Sequence, residues 1–386
     1  MLAIRHATLL TPDATLNDAT VLLDDSRDGG RVAAVGGPEL AIPVGATVRD
    51  AAGLLLTPGF IDLQVNGGFG LDFTADPETI WDVAAALPRF GVTAFLPTVI
   101  TSPPAKPQTA QRVLGGGPPA GWAGARPLGL HMEGPFLNPG KKGAHNPAYL
   151  RQPSAAGLGD WSPATGVRLV TLAPELPWAR QAIAALAGRG VVVSAGHSLA
   201  TFDEAAAGFD SGARYTTHLF NAMPTLHHRE PGLVAAALAD PRVVVGLIPD
   251  GLHVHPALVR LVWQLLGPDR LNLVTDAMAA MGMAPGEYLL GDFRVTVDAG
   301  SARLDDGTLA GCVLSLDAIL RAFIAFTGAP LADVLPTVTT TPARLLGLDG
   351  QLGRVAPGYA ADLALLTPDL RAVETFVGGK SVYRAG

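Results

Sequence analysis

The sequence predicts an α/β protein built on a (β/α)8 TIM-type barrel, with a small β-sandwich formed jointly by the two chain ends. Three observations lead there. Eight short runs rich in Val, Leu, Ile and Thr recur between residues 59 and 277. Helix-like segments separate many of them, and the runs end in polar side chains. Strands buried on both faces read as continuous apolar runs, and strands that alternate with helices eight times close into a parallel barrel.

In chain order the runs are GFIDLQVN (59–66), VTAFLPT (92–98), LGLHME (128–133), VRLVTLAPE (167–175), VVVSAGHS (191–198), RYTTHLF (214–220), VVVGLIPD (243–250) and LNLVTDA (271–277), each bounded by turn residues. Between them, DPETIWDVAAALPRF, PWARQAIAALAG and PALVRLVWQLLG place apolar residues at helical spacing and open on Asp or Pro, which favour helix starts. Residues 1–57 and 348–386 instead give short alternating stretches, too few at either end for a stable core alone. Together they predict one small domain, discontinuous in sequence, around a catalytic barrel over 58–347. A hairpin at about 287–311 is expected as an insertion after the eighth run.

Composition removes several function classes. Hydrophobic residues make up 48% and charged residues only 16%, so the chain can bury a large core and is not disordered. The net charge is −7 with no Lys/Arg cluster, which argues against nucleic acid as a partner. No apolar run approaches the roughly 18 residues of a membrane helix, so no membrane is expected. MLAIRHATLL has no signal-peptide pattern, and a single cysteine, Cys312, fits a reducing compartment. The expected setting is the cytoplasm.

Functional side chains of such barrels stand at the C-terminal ends of the strands. Those ends carry Asp62, Gln64 and Asn66, then Glu133, His197, His218, Asp250 with His253 nearby, and Asp276. Singly, each has an ordinary explanation. His197 and His131 could be core histidines, Asp276 a helix cap, Glu133 a turn residue, Arg229 a surface charge, and Lys141 with Lys142 a solvated pair. Jointly they do not. Gathering two His, one Glu and one Asp at one barrel mouth is costly unless they are paired or hold a metal. Glu133, His197 and His218 match a three-ligand hydrolytic metal site with an open position. Asp276 is then the carboxylate that takes a proton from the attacking water.

At these residues the chain resembles the amidohydrolase superfamily, and within it the deacetylase branch that acts on N-acetylglucosamine 6-phosphate. The resemblance runs through LTPGFIDLQVNGGFG, GLHMEGPFLNPGKKGAHNP, VVSAGHS, THLFNAMPTLHHREPG, DGLHVHP, LVTDAMAAMGM, LAGCVLSL and GRVAPGYAADLALL. It implies a metal-dependent hydrolase barrel, with Glu133, His197 and His218 as metal ligands and Asp276 as acid and base. It implies that His145 polarises the acetamide carbonyl. Arg229 and His253, with the backbone at Asn221 and Ala222, would hold the 6-phosphate, and Leu309, Ala310 and Gly311 would close over the sugar. His253 is expected to reach a neighbouring subunit's site, hence a homodimer. Many superfamily members carry His-x-His after the first strand and bind a second metal. Here Gln64-Val65-Asn66 stands there, and none of the four lysines lies at a strand end. One divalent metal per subunit is therefore expected, Zn2+ ahead of Fe2+, Co2+ or Mn2+, with Gln64 and Asn66 orienting solvent or substrate. Two other readings stay open: an amidohydrolase acting on a different cyclic or phosphorylated amide, and a non-catalytic descendant.

Overall fold

The computed structural model describes every residue except 12–13, 25–28 and 299. Eight successive parallel strands form the central layer: Phe60–Val65, Val92–Ile100, Leu130–Glu133, Val167–Leu172, Val192–Ala195, Tyr215–Thr216, Val244–Leu247 and Leu271–Leu273. Each pairs with the next in the sequence, and the ends of the first and last meet through a parallel bridge between Val65 and Ala277. The backbone N–H of Asn66 donates to the Ala277 carbonyl at 2.7 Å, which nearly closes the barrel. Every residue of the first two strands is buried, which is why these runs are apolar throughout rather than alternating.

The sixth and eighth strands are shorter than their apolar runs. Two residues pair in 214–220 and three in 271–277. In both, the backbone leaves strand geometry just before a functional side chain, His218 at φ 31° and Asp276 at φ 51°. Local chemistry also sets the surrounding helices. Thr201 and Glu204 form a reciprocal capping box that starts Phe202–Asp210. Helix Pro256–Arg270 opens on Pro and is interrupted at Gly267, whose φ of 60° suits a residue without Cβ.

The chain ends meet, as expected. Strands Leu2–Leu10, Thr15–Asp24, Arg31–Gly36, Thr47–Asp50 and Leu55–Pro58 from one end join Leu363–Leu366, Ala372–Val377 and Lys380–Arg384 from the other in one mixed sheet. They enclose a separate core that includes Ile4, Val21, Leu23, Leu365 and Phe376. The insertion after the eighth strand is larger than a hairpin. Gly286–Leu290, Phe293–Asp298 and Ser301–Arg303 form a three-stranded antiparallel sheet. Its Leu290, Val295 and Ala302 pack on Met278, just beyond Asp276, so the sheet stands beside the barrel mouth. Among the described residues no single helix is long and apolar enough to cross a membrane.

Candidate active site

Parallel pairing places Glu133, the last residue of the third strand, beside Ile100 and Thr171 at the mouth. Its Oε1 lies 3.2 Å from Nε2 of His197 and 3.1 Å from Nε2 of His218, and those two nitrogens are 3.1 Å apart. All three residues are buried. His197, like His218 and Asp276, has a left-handed backbone, with φ of 49°. Such conformations are uncommon outside glycine and concentrate at functional sites.

Nδ1 of His197 sits 2.9 Å from the Lys141 carbonyl oxygen. A carbonyl only accepts, so Nδ1 carries the proton and Nε2 presents its lone pair to the mouth. Burial pushes the Glu133 carboxyl up, but the two imidazoles beside it outweigh burial and hold it well below the usual carboxylate range. Burial pushes His218 down, and the hydrogen bond and charge of Glu133 more than reverse this. The carboxylate oxygen and imidazole nitrogens lie within 4.8 Å of one another, a donor set that fits one divalent cation such as zinc.

Asp276 lines the same cavity, and Asn66 Nδ2 donates to its Oδ1 at 2.7 Å. Burial, then the charge of Glu133, raises its carboxyl to about 6. His145 packs edge-on against His197 with ring centres 4.5 Å apart, and its Nε2 lies 3.9 Å from Glu133 Oε2. Burial, then the neighbouring His197, lowers its pKa to about 3. His131 keeps its structural reading: it is buried between Thr98 and Thr171 hydroxyls, and burial lowers it to about 4.

The cavity holds about 430 Å³. Besides the cluster it is lined by Asn221, Ala222 and His253 on one side and by Leu309 and Gly311 on the other. Several expectations change here. Gln64 does not line the cavity; it donates Nε2–H to Glu133 Oε1 at 3.1 Å and so braces the carboxylate rather than solvent or substrate. Asn66 does line it; its Nδ2 is committed to Asp276, while its Oδ1 has no hydrogen-bond partner among the described residues. Ala310 is buried in the core behind the wall. His253 lines this chain's own cavity instead of reaching outward, because Asp250 Oδ2 holds its Nδ1 at 2.6 Å. Arg229 is not brought to the cavity at all. It is exposed on the 224–230 loop beside a separate groove and donates Nη1–H to His228 Nε2 at 2.9 Å. Lys141, read as a solvated loop residue, lines the cavity, as does Arg303 of the inserted sheet. Neither follows an apolar run, so nothing in the sequence pattern marked them.

A barrel mouth with a carboxylate and two imidazoles converging on one point, and a second carboxylate opposite, defines a metal-dependent hydrolase. The chain belongs to the amidohydrolase family, whose pattern it matches over residues 55–382. It is 40% identical over 356 residues to the N-acetylglucosamine-6-phosphate deacetylase of Homo sapiens, covering 87% of this chain and 85% of that one. It is 39% identical over 385 residues to the N-acetylgalactosamine-6-phosphate deacetylase of Escherichia coli O157:H7, covering 98% of each. Among solved structures, a mutant N-acetyl-D-glucosamine-6-phosphate deacetylase of Mycobacterium smegmatis in complex with N-acetyl-D-glucosamine-6-phosphate superposes with a TM-score of 0.89 at 36% identity, covering 99% of each chain.

Proposed function

We propose that this chain hydrolyses the acetamide of N-acetylglucosamine 6-phosphate to glucosamine 6-phosphate and acetate. In this reading Glu133, His197 and His218 hold one divalent metal, zinc in preference to iron, cobalt or manganese. The observation that carries it is the convergence of these three side chains opposite Asp276 in one cavity, in a chain whose relatives are named for this reaction.

When bound, the metal supplies Lewis acidity and lowers the pKa of water at its open position. Asp276 takes a proton from the attacking water and, once protonated, returns it to the leaving amine nitrogen. A carboxyl raised to about 6 suits both halves of that exchange. His145 donates a hydrogen bond to the acetamide oxygen as charge develops on it. His253, clamped by Asp250, and the backbone at Asn221 and Ala222 hold the phosphate end.

Arg229 stands outside this chain's cavity, so it contributes here through a homodimer, reaching the phosphate in a second copy's site. The exposed Leu258, Leu261 and Leu265 share one face of helix Pro256–Arg270 and supply apolar surface for that pairing. A phosphorylated substrate and a lone, buried cysteine support a cytoplasmic setting.

The test is acetate release from N-acetylglucosamine with and without its 6-phosphate, on protein whose metal content has been counted. Activity confined to the phosphorylated sugar, at about one metal per subunit, supports the proposal. Activity on neither sugar sinks the substrate assignment. The Escherichia coli relative favours one further arm, the galactosamine epimer. Faster turnover of that epimer would transfer the assignment to it.

A further inference from the structure

We infer that Thr101 is a positioning residue that fixes His145 in the tautomer whose proton lies on Nε2, facing the cavity. The inference rests on the reading of His145 as the donor to the acetamide oxygen.

Thr101 is buried one residue beyond the second barrel strand, whose last residue pairs with Glu133. Its backbone N–H points at Nδ1 of His145 at 3.3 Å, and its hydroxyl oxygen lies 2.9 Å from the same atom. A backbone N–H only donates, and a buried one needs an acceptor. Nδ1 must therefore be bare. A proton there would face the Thr101 N–H and leave that donor unsatisfied. The hydroxyl strengthens this hold: turned to the Glu133 carbonyl oxygen, 3.2 Å away, it would set its own lone pair against the bare Nδ1, so it donates to Nδ1, which then accepts from both Thr101 groups. The neighbouring backbone is built around the hydroxyl: a Cβ on Gly134 would overlap it, and Gly134 adopts φ of 93°.

The tautomer separates two roles within one cluster. His197 has its Nδ1 on a carbonyl, so its Nε2 lone pair faces the mouth. His145 has its Nδ1 on an N–H, so its Nε2 carries a proton. The first can ligate a cation. The second cannot, and instead donates to oxygen. In the opposite tautomer His145 would set a lone pair against the substrate carbonyl and compete as a further imidazole ligand.

The test is 15N NMR of zinc-loaded protein labelled on its imidazole nitrogens, with His145 assigned by its absence in His145→Asn. The expected spectrum shows a bare Nδ1 and a protonated Nε2. Thr101→Val, which removes the hydroxyl and keeps the N–H, should mix the two tautomers. It should also lower kcat about tenfold with little change in KM, a fraction of what losing a whole oxyanion donor costs. Thr101→Ser should recover the spectrum lost in the Val variant. A protonated Nδ1 in the unaltered protein overturns the inference, and so does a Thr101→Val enzyme with undiminished kcat. The unaltered protein alone decides the first point even where the Val variant does not fold. The spectrum also needs no turnover, so failure of the proposed substrate would leave it readable.

Discussion

Glu133, His197 and His218 are buried, and each stands where a barrel strand ends or has just ended. The cations around them, Lys141 and Arg303 at the cavity wall and Arg229 outside it on a separate loop, make a more open end: they are half-buried or exposed and lie outside the barrel strands. The two ends answer different physical demands. Bond cleavage needs ligands and dipoles held within fractions of an ångström and shielded from water, which a closed barrel supplies. Holding a phosphate needs positive charge at a surface that opens to admit it, and loops over a rigid scaffold do that.

The largest expected effect comes from breaking the buried end. Removing one ligand by His197→Ala should abolish turnover and metal retention together. It should also lower Tm, because a cation present at 1,000 times its Kd adds about 4 kcal/mol to the folded state. Atomic absorption and a melting curve check both. Retained metal with normal activity would dissolve the distinction between the two ends. Asp276→Asn should keep the metal and lose roughly 10²–10⁴ in kcat, the usual range for a positioned acid–base group.

The same residue sets a pH limb. Its carboxyl is raised, so the carboxylate needed as base is complete above about 6 and disappears below it. Rates should fall toward acid, about tenfold per unit. Loading the cation should move that limb to lower pH, since positive charge favours the carboxylate. An acid limb persisting unchanged in Asp276→Asn would assign it elsewhere. His145→Ala should cost about 2–4 kcal/mol in kcat/KM, like other oxyanion donors, and an unchanged kcat/KM removes it from the reaction.

The smallest expected effect belongs to the exposed end and sharpens the contrast most. Arg229→Ala should raise KM for the phosphorylated sugar about tenfold, in line with loss of one charged hydrogen bond. It should leave kcat and the unphosphorylated sugar nearly untouched. Equal loss on both sugars would place Arg229 in the folding of the site. Mixing Arg229→Ala with Asp276→Asn protein adds a direct check: recovered activity means the arginine crosses between copies.

Much of the buried end was legible in the sequence. Glu133, His197, His218 and Asp276 each close an apolar run, and an ionisable group at the end of a buried strand has few other uses. The resemblance to the amidohydrolases agreed with that reading. The shortened sixth and eighth strands were not legible, because the left-handed backbones at His218 and Asp276 carry no local signature such as glycine. The bracing duties of Gln64 and Asn66 were not legible for a related reason. Their hydrogen bonds to Glu133 and Asp276 span 69 and 210 residues and exist only once the barrel closes.

Apolar periodicity and the polar residues ending each run determined the barrel, the joining of the chain ends and the identity of the metal-capable set, since burial acts on every residue where it stands. Tertiary structure alone decided which nitrogen of each histidine faces the cavity, that His253 turns inward while Arg229 stays outside, and that Lys141 and Arg303 border the cavity. Those outcomes depend on a single carbonyl, amide or carboxylate delivered from a distant part of the chain, and no local pattern encodes where such a partner will arrive.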